Sequence, residues 1–177
     1  APPPVTEDAT AWLLYTSGTT GRPKGAMLSH RNLTTALVQS VMAYEPTPET
    51  CFLNAMPLCH VAGYLTPMHL FHGGSVVLMS GWDPERWMRL VDEHRVTSGG
   101  FAPTMMQMLL AHPRIDDYDL SSLEWMGYGA SKIPPDVLRR TIERFGDVVY
   151  AGMGMTELGG NMITLDKAAH QRAARGE

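Results

Sequence analysis

The sequence predicts an α/β domain with a largely parallel sheet flanked by helices. Two observations carry this reading. Short apolar runs alternate with longer segments of helical period along the chain. Proline or a capping residue opens several of the helical segments, and glycine or turn clusters separate them from the runs. There is no internal repeat and no low-complexity segment.

Residues 1–9 are proline-rich and polar and read as a linker. Ala11–Tyr15 is a short apolar strand, 16–25 a loop, and Ala26–Leu28 a second short strand. Ser29 is a good N-cap, and Leu33, Ala36, Leu37 and Val41 fall on one face of the helix that follows. Strands are expected at 51–55, 75–79, 96–101, 123–126 and 148–151. Helices are expected at 61–71, stopped by Gly73-Gly74, at 83–95, at 103–111 and at 134–145. Residues 10–165 then form one domain, and 166–177, polar and alanine-rich, read as a frayed end.

Composition narrows the function. The chain has 177 residues, enough for one domain with a sizeable core, and 44% of them are hydrophobic. A formal net charge of −4 argues against nucleic-acid binding, which usually shows a basic excess. No apolar run approaches the roughly 18 residues of a membrane span. Two cysteines, Cys51 and Cys59, are too few for a disulfide framework and suit a reduced, cytoplasmic setting. Cys59-His60 lacks the spacings of metal or haem sites. The start at Ala1, without an initiator Met or a signal-peptide pattern, reads as a cut inside a longer chain.

Ligands of such sheets sit beyond the carboxyl ends of the strands. Three segments are expected there: the loops at 16–25 and 152–157 and the turn at 127–131. The first is the most informative. Tyr15–Gly25 holds three glycines, three threonines, Ser17 and Lys24. Glycines let backbone N–H groups turn inward on an anion, hydroxyls add donors, and a lysine strengthens each hydrogen bond to phosphate. It is not a Walker A loop, because Lys24 lies between Pro23 and Gly25.

Tyr15-Thr16-Ser17-Gly18-Thr19-Thr20-Gly21-Arg22-Pro23-Lys24-Gly25 resembles the phosphate loop of the adenylate-forming superfamily. That superfamily includes acyl- and aryl-CoA synthetases, beetle luciferases and peptide-synthetase adenylation domains. Pro57-Leu58-Cys59-His60-Val61-Ala62-Gly63 is similar to its second signature, Tyr128-Gly129-Ala130-Ser131 to the turn bordering adenine and acyl group, and Gly154-Met155-Thr156-Glu157 to its Gly-Met-Thr-Glu motif. Order and spacing agree over nearly the whole chain. Gly18-Thr19-Thr20-Gly21, Met155 and Tyr128–Ser131 look most like fatty-acid-CoA ligases.

The resemblance implies ATP, Mg²⁺ and CoA as reactants with a carboxylic acid, and a fold that is one subdomain of the adenylate-forming N-terminal domain. By resemblance, Lys24, His60, Thr156 and Glu157 are the catalytic set. The nucleotide falls to Thr16, Ser17, Gly18, Thr19, Thr20, Gly21, Lys24, Gly129, Ala130, Ser131, Gly152, Met153, Gly154 and Thr156. Glu157, with Ser17, would hold the metal. His60, Tyr64, Phe101, Met105, Tyr128 and Met153 are candidate lining of the acid pocket, and their apolar character suggests a fatty acid. Met153 stands where relatives carry an aromatic that stacks on adenine. The later Thr-Gly-Asp motif and the C-terminal domain with its lysine have no match. The chain is therefore expected to be an inactive, self-associating fragment of an acyl-CoA synthetase. A stand-alone nucleotide- or acyl-binding module, and a fragment of a peptide-synthetase adenylation domain, are the alternatives.

Overall fold

The computed structural model describes residues 4–17 and 21–177. Strands β1 (Thr10–Thr16) and β2 (Lys24–Ser29) form an antiparallel hairpin outside the main sheet. Helix α1 (His30–Tyr44) leaves it directly. Ser29 caps α1 reciprocally with Asn32: the Ser29 hydroxyl accepts from the Asn32 N–H at 3.2 Å, and the Asn32 side chain accepts from the Ser29 N–H at 3.0 Å.

The chain then alternates through β3 (Cys51–Asn54), a 3-10 turn (Val61–Tyr64) running into α2 (Leu65–Phe71), β4 (Ser75–Leu78), α3 (Pro84–His94), β5 (Ser98–Phe101), α4 (Pro103–Leu110), β6 (Trp125–Tyr128), α5 (Pro135–Phe145), β7 (Val149–Met155), β8 (Gly160–Leu165) and α6 (Lys167–Ala174). The sheet order is β4-β3-β5-β6-β7-β8. All pairs are parallel except β7 with β8. This is the expected α/β architecture.

Side chains alternate across the strands, so neighbours serve opposite layers. Leu53 joins the larger core with Trp87, Val91, Met106, Leu109 and Val137 of α3, α4 and α5. Phe52 joins a smaller cluster with Tyr64, Leu65 and Met68, covered by Leu37, Val41 and Tyr44 of α1. Asp83 caps α3 by accepting from the Arg86 N–H at 2.6 Å, with proline at the first turn as the sequence indicates.

Four expectations need correction. Residues 166–177 are not frayed: Asp166 accepts from the Ala169 N–H at 2.8 Å and caps α6, which buries His170. The loop expected at 152–157 is strand through Met155, because β8 returns antiparallel and supplies the pairing. The strand expected at 123–126 lies at 125–128, since Leu123 is drawn into the core and the ladder matches Trp125–Tyr128 to Ser98–Phe101. The exposed residues before β1 are tied to α1, where Arg31 pairs with Glu7 at 2.6 Å and Asp8 at 3.0 Å. No helix among the described residues is long and apolar enough to cross a membrane.

Candidate active site

The candidate phosphate loop is the connection of the β1–β2 hairpin. Thr16 and Lys24 are its cross-strand partners, and the Thr16 hydroxyl reaches the Lys24 carbonyl at 3.5 Å. Ser17 and Lys24 are exposed, and Gly21 takes φ +80. Gly18, Thr19 and Thr20 lie outside the described residues.

The Gly-Met-Thr-Glu segment approaches the same hairpin. β7 ends at Met155, and Thr156–Leu158 form a 3-10 turn beside β2. At Gly154 an added Cβ would fall 2.1 Å from the Gly160 carbonyl oxygen, so the β7–β8 pair closes only around glycine there. Thr156 is half-buried and Glu157 exposed.

The Tyr-Gly-Ala-Ser segment ends β6. The Gly129 N–H donates to the Phe101 carbonyl at 3.2 Å, and Ala130 is held at φ +68. A residue with a Cβ loses about 1–2 kcal/mol in that left-handed region. Unlike Glu45 and Arg95, the other non-glycine residues with positive φ, Ala130 does not follow a helix end. Such strain concentrates at functional sites.

A cavity of about 150 Å³ opens between the ends of β6 and β7 and the 3-10 turn at Val61–Tyr64. His60, Tyr64, Phe101 and Tyr128, read from the sequence as acid-pocket candidates, line it together with Gly129, Ala130, Gly152 and Gly154, read as nucleotide candidates. Tyr44, Met56, Trp125 and Asn161 line it as well, and the sequence reading missed them. Tyr44 had a signal, since it continues the 37, 41, 44 helical face of α1. Asn161 had none, because β8 was not anticipated. Met105 does not line the cavity: it is buried in the larger core, with its sulfur 3.3 Å from the Ala102 N–H. Met153 is exposed, and neither it nor Ser131 reaches the cavity.

The walls are pinned by hydrogen bonds. The Asn161 amide donates to the Tyr44 hydroxyl at 2.6 Å, and the Ser40 hydroxyl lies 3.3 Å from that of Tyr64. Burial pushes both phenols above their ordinary range, so they stay protonated at neutral pH. His60 caps the 3-10 turn, its Nδ1 accepting from the Ala62 N–H at 3.4 Å, which leaves Nε2 as the N–H of the neutral ring.

The arrangement divides the labour. The cavity itself is aromatic and apolar, suited to the body of an organic acid. Charge and hydroxyl groups lie outside its lining, on Lys24 at the start of β2 and on the Thr156–Glu157 turn that packs against β2. No cluster of three metal-ligating side chains occurs among the described residues. Glu157 nevertheless fits Mg²⁺, which keeps its waters and binds through one or two carboxylates together with substrate phosphates.

The family model described as "AMP-binding enzyme" matches residues 1–176. A feruloyl-CoA synthase of Amycolatopsis is 41% identical over 167 residues, covering 93% of this chain and 34% of that protein. A medium/long-chain-fatty-acid–CoA ligase of Mycobacterium tuberculosis is 35% identical over 164 residues, covering 92% and 28%. Among solved structures, the o-succinylbenzoate–CoA synthetase of Bacillus subtilis, in complex with ATP and magnesium, superposes with a TM-score of 0.85 at 29% identity, covering 94% of this chain and 34% of that one. The amide bond synthetase McbA of Marinactinospora thermotolerans gives 0.84 at 31%, covering 90% and 32%. The chain thus spans about a third of the length of these relatives. With the family model matched almost end to end, and residues of three of the four motif segments lining one cavity, the chain belongs to the AMP-binding enzyme family, the adenylate-forming enzymes.

Proposed function

We propose that the full-length protein carrying this sequence activates an apolar carboxylic acid with ATP and transfers the acyl group to CoA. The observation that carries this is the aromatic cavity lined by His60, Tyr128–Ala130, Gly152 and Gly154, with Gly154 leading into the Thr156–Leu158 turn that packs against β2 of the hairpin. CoA-ligase relatives support the same reading.

In the first half-reaction a carboxylate oxygen bonds to the α-phosphorus of ATP, and the bond to pyrophosphate breaks. Such a displacement needs reactants held in line and charge neutralised more than it needs covalent help from the protein. Lys24, with Thr16, Ser17, Thr19 and Thr20, holds the departing phosphates. Thr156 donates to the α-phosphate. Glu157, helped by Ser17, would hold Mg²⁺, which neutralises phosphate charge when bound. Gly129, Ala130, Gly152 and Gly154 leave room for the nucleotide beside the acid. His60 stands at the cavity with an N–H available to the carboxylate. In the second half-reaction the CoA thiol attacks the acyl carbon and AMP departs.

The acid is best read as flat and aromatic. Tyr44, Tyr64, Phe101, Trp125 and Tyr128 all line one compact space, and aromatic rings pack well against a flat ring. A medium-chain fatty acid is the second reading, supported by the apolar lining and the fatty-acid ligase relative. Incubating the full-length protein with ATP, Mg²⁺, CoA and a panel of cinnamates, benzoates and fatty acids tests it. Thioester formation with an apolar acid is expected; no thioester from any of them refutes the reading. The unpaired cysteines support a reducing, cytoplasmic setting. Exposed Leu13, Tyr15 and Met27 on the hairpin support self-association of these residues when produced alone, which light scattering reads directly.

A further inference from the structure

Trp125 and Tyr44 line two cavities at once. The first is the 150 Å³ cavity of the candidate active site, and the second, of about 120 Å³, lies behind it. The two rings meet edge to face, with centroids 5.0 Å apart and planes at 71°. We infer that Trp125, buttressed by Tyr44, is the end wall of the acid pocket and sets the length of acid that the protein accepts. The inference rests on reading the first cavity as the acid site.

Three features make this wall a built one. A Cβ added at Gly127 would fall 1.9 Å from the Trp125 ring, so β6 has no side chain in the space that the indole fills. Tyr44 is fixed in turn by the 2.6 Å hydrogen bond from Asn161. The Trp125 Nε1 is buried and makes no hydrogen bond with any described residue, so packing alone holds the indole and its replacement strands no polar partner.

The chamber behind the wall differs in chemistry from the one in front. Thr47, Thr50, His69, Thr97, Glu124 and Lys167 line it. The His69 Nδ1 is engaged at 2.7 Å by the Leu65 carbonyl, which can only accept, so in the neutral ring Nε2 is left as an acceptor. Opening the wall would join an aromatic pocket to a polar one. The joined space suits an acid with a longer body and a hydroxyl or amide at its far end.

The test is the specificity ratio of the full-length protein, kcat/KM for a long straight-chain acid over that for a short one, in wild type and Trp125→Ala. Pocket contacts worth a methylene or more change such ratios by about 10–200-fold. The ratio is expected to rise at least about tenfold in Trp125→Ala, and further for long acids with a terminal hydroxyl. Trp125→Leu, which keeps an apolar side chain, is expected to fall between. Circular dichroism selects the folded variants, and Trp125→Leu carries the test if the alanine variant does not fold. An unchanged ratio in a folded, active variant overturns the inference while leaving acid activation intact. A wild type that consumes ATP with no acid at all overturns the acid-site reading itself, and the inference with it.

Discussion

The imidazole of His170 lies 3.1 Å from the hydroxyl of Tyr128, joining α6 to the end of β6. The other ring nitrogen is 2.7 Å from the Asp166 carbonyl, which can only accept. Nδ1 therefore carries the proton, and in the neutral ring Nε2 accepts from the Tyr128 O–H. A helix outside the recognised motifs thus aims a phenol that lines the candidate acid pocket.

Replacing His170 with Phe keeps a ring in the packing but leaves the Tyr128 hydroxyl without its acceptor. Loss of one such partner costs about 1–3 kcal/mol of stability, measurable by denaturant unfolding. In the full-length protein KM for the acid should rise while KM for ATP stays near wild type. Tyr128→Phe, which needs no acceptor, should remove the effect of the His170 substitution on stability. Equal changes in both KM values would mean that His170 supports the fold only.

Acid should weaken the domain through His69. The ring is buried flat against Phe52, with centroids 4.1 Å apart, and burial pulls its pKa from 6.5 down to about 4. Between these values the unfolded chain binds the proton and the folded one does not. Stability therefore falls as pH drops from about 6.5 towards 4. The loss is on the order of 3 kcal/mol at most. His69→Leu should lose less melting temperature than wild type as the pH falls from about 6.5 to about 4. Parallel losses in both would exclude His69 as the source.

Glu157→Gln retains the shape and removes the charge. It should move the Mg²⁺ dependence of adenylation to higher concentration with no change in melting temperature, since Glu157 is exposed on its turn. Normal turnover at low Mg²⁺ would remove Glu157 from the metal site.

Much of the architecture was legible because its signals are local. Asp83-Pro84 and Ser29 mark helix starts within one turn, and the β3 and β4 runs are apolar enough to stand out. β8 escaped because it follows the tight Gly159 reversal at φ +72 and carries Asn161 and Thr164 among its apolar residues. α6 escaped although Asp166 is an ordinary capping residue, because its alanine-rich sequence has no apolar stripe and docks through His170. The motif residues were legible for the same local reason. Trp125 and Asn161 were not, since the pairing of β5 with β6 and of β7 with β8 puts them at the cavity. Met105 erred the other way: its helical position fits either a pocket or a core, and the sheet face decides for the core.

The central claim is that this site forms an acyl-adenylate, and acid-dependent exchange of labelled pyrophosphate into ATP reads that step without CoA. Lys24 is exposed and forms no ion pair among the described residues, so its removal tests phosphate binding with little effect on the fold. A charge-assisted contact of this kind is worth about 1.5–3 kcal/mol. The account predicts exchange by the full-length protein only when an apolar acid is present, cut by about 10–150-fold in Lys24→Ala at subsaturating ATP. Exchange that ignores the acid, or that survives undiminished in Lys24→Ala, would contradict it.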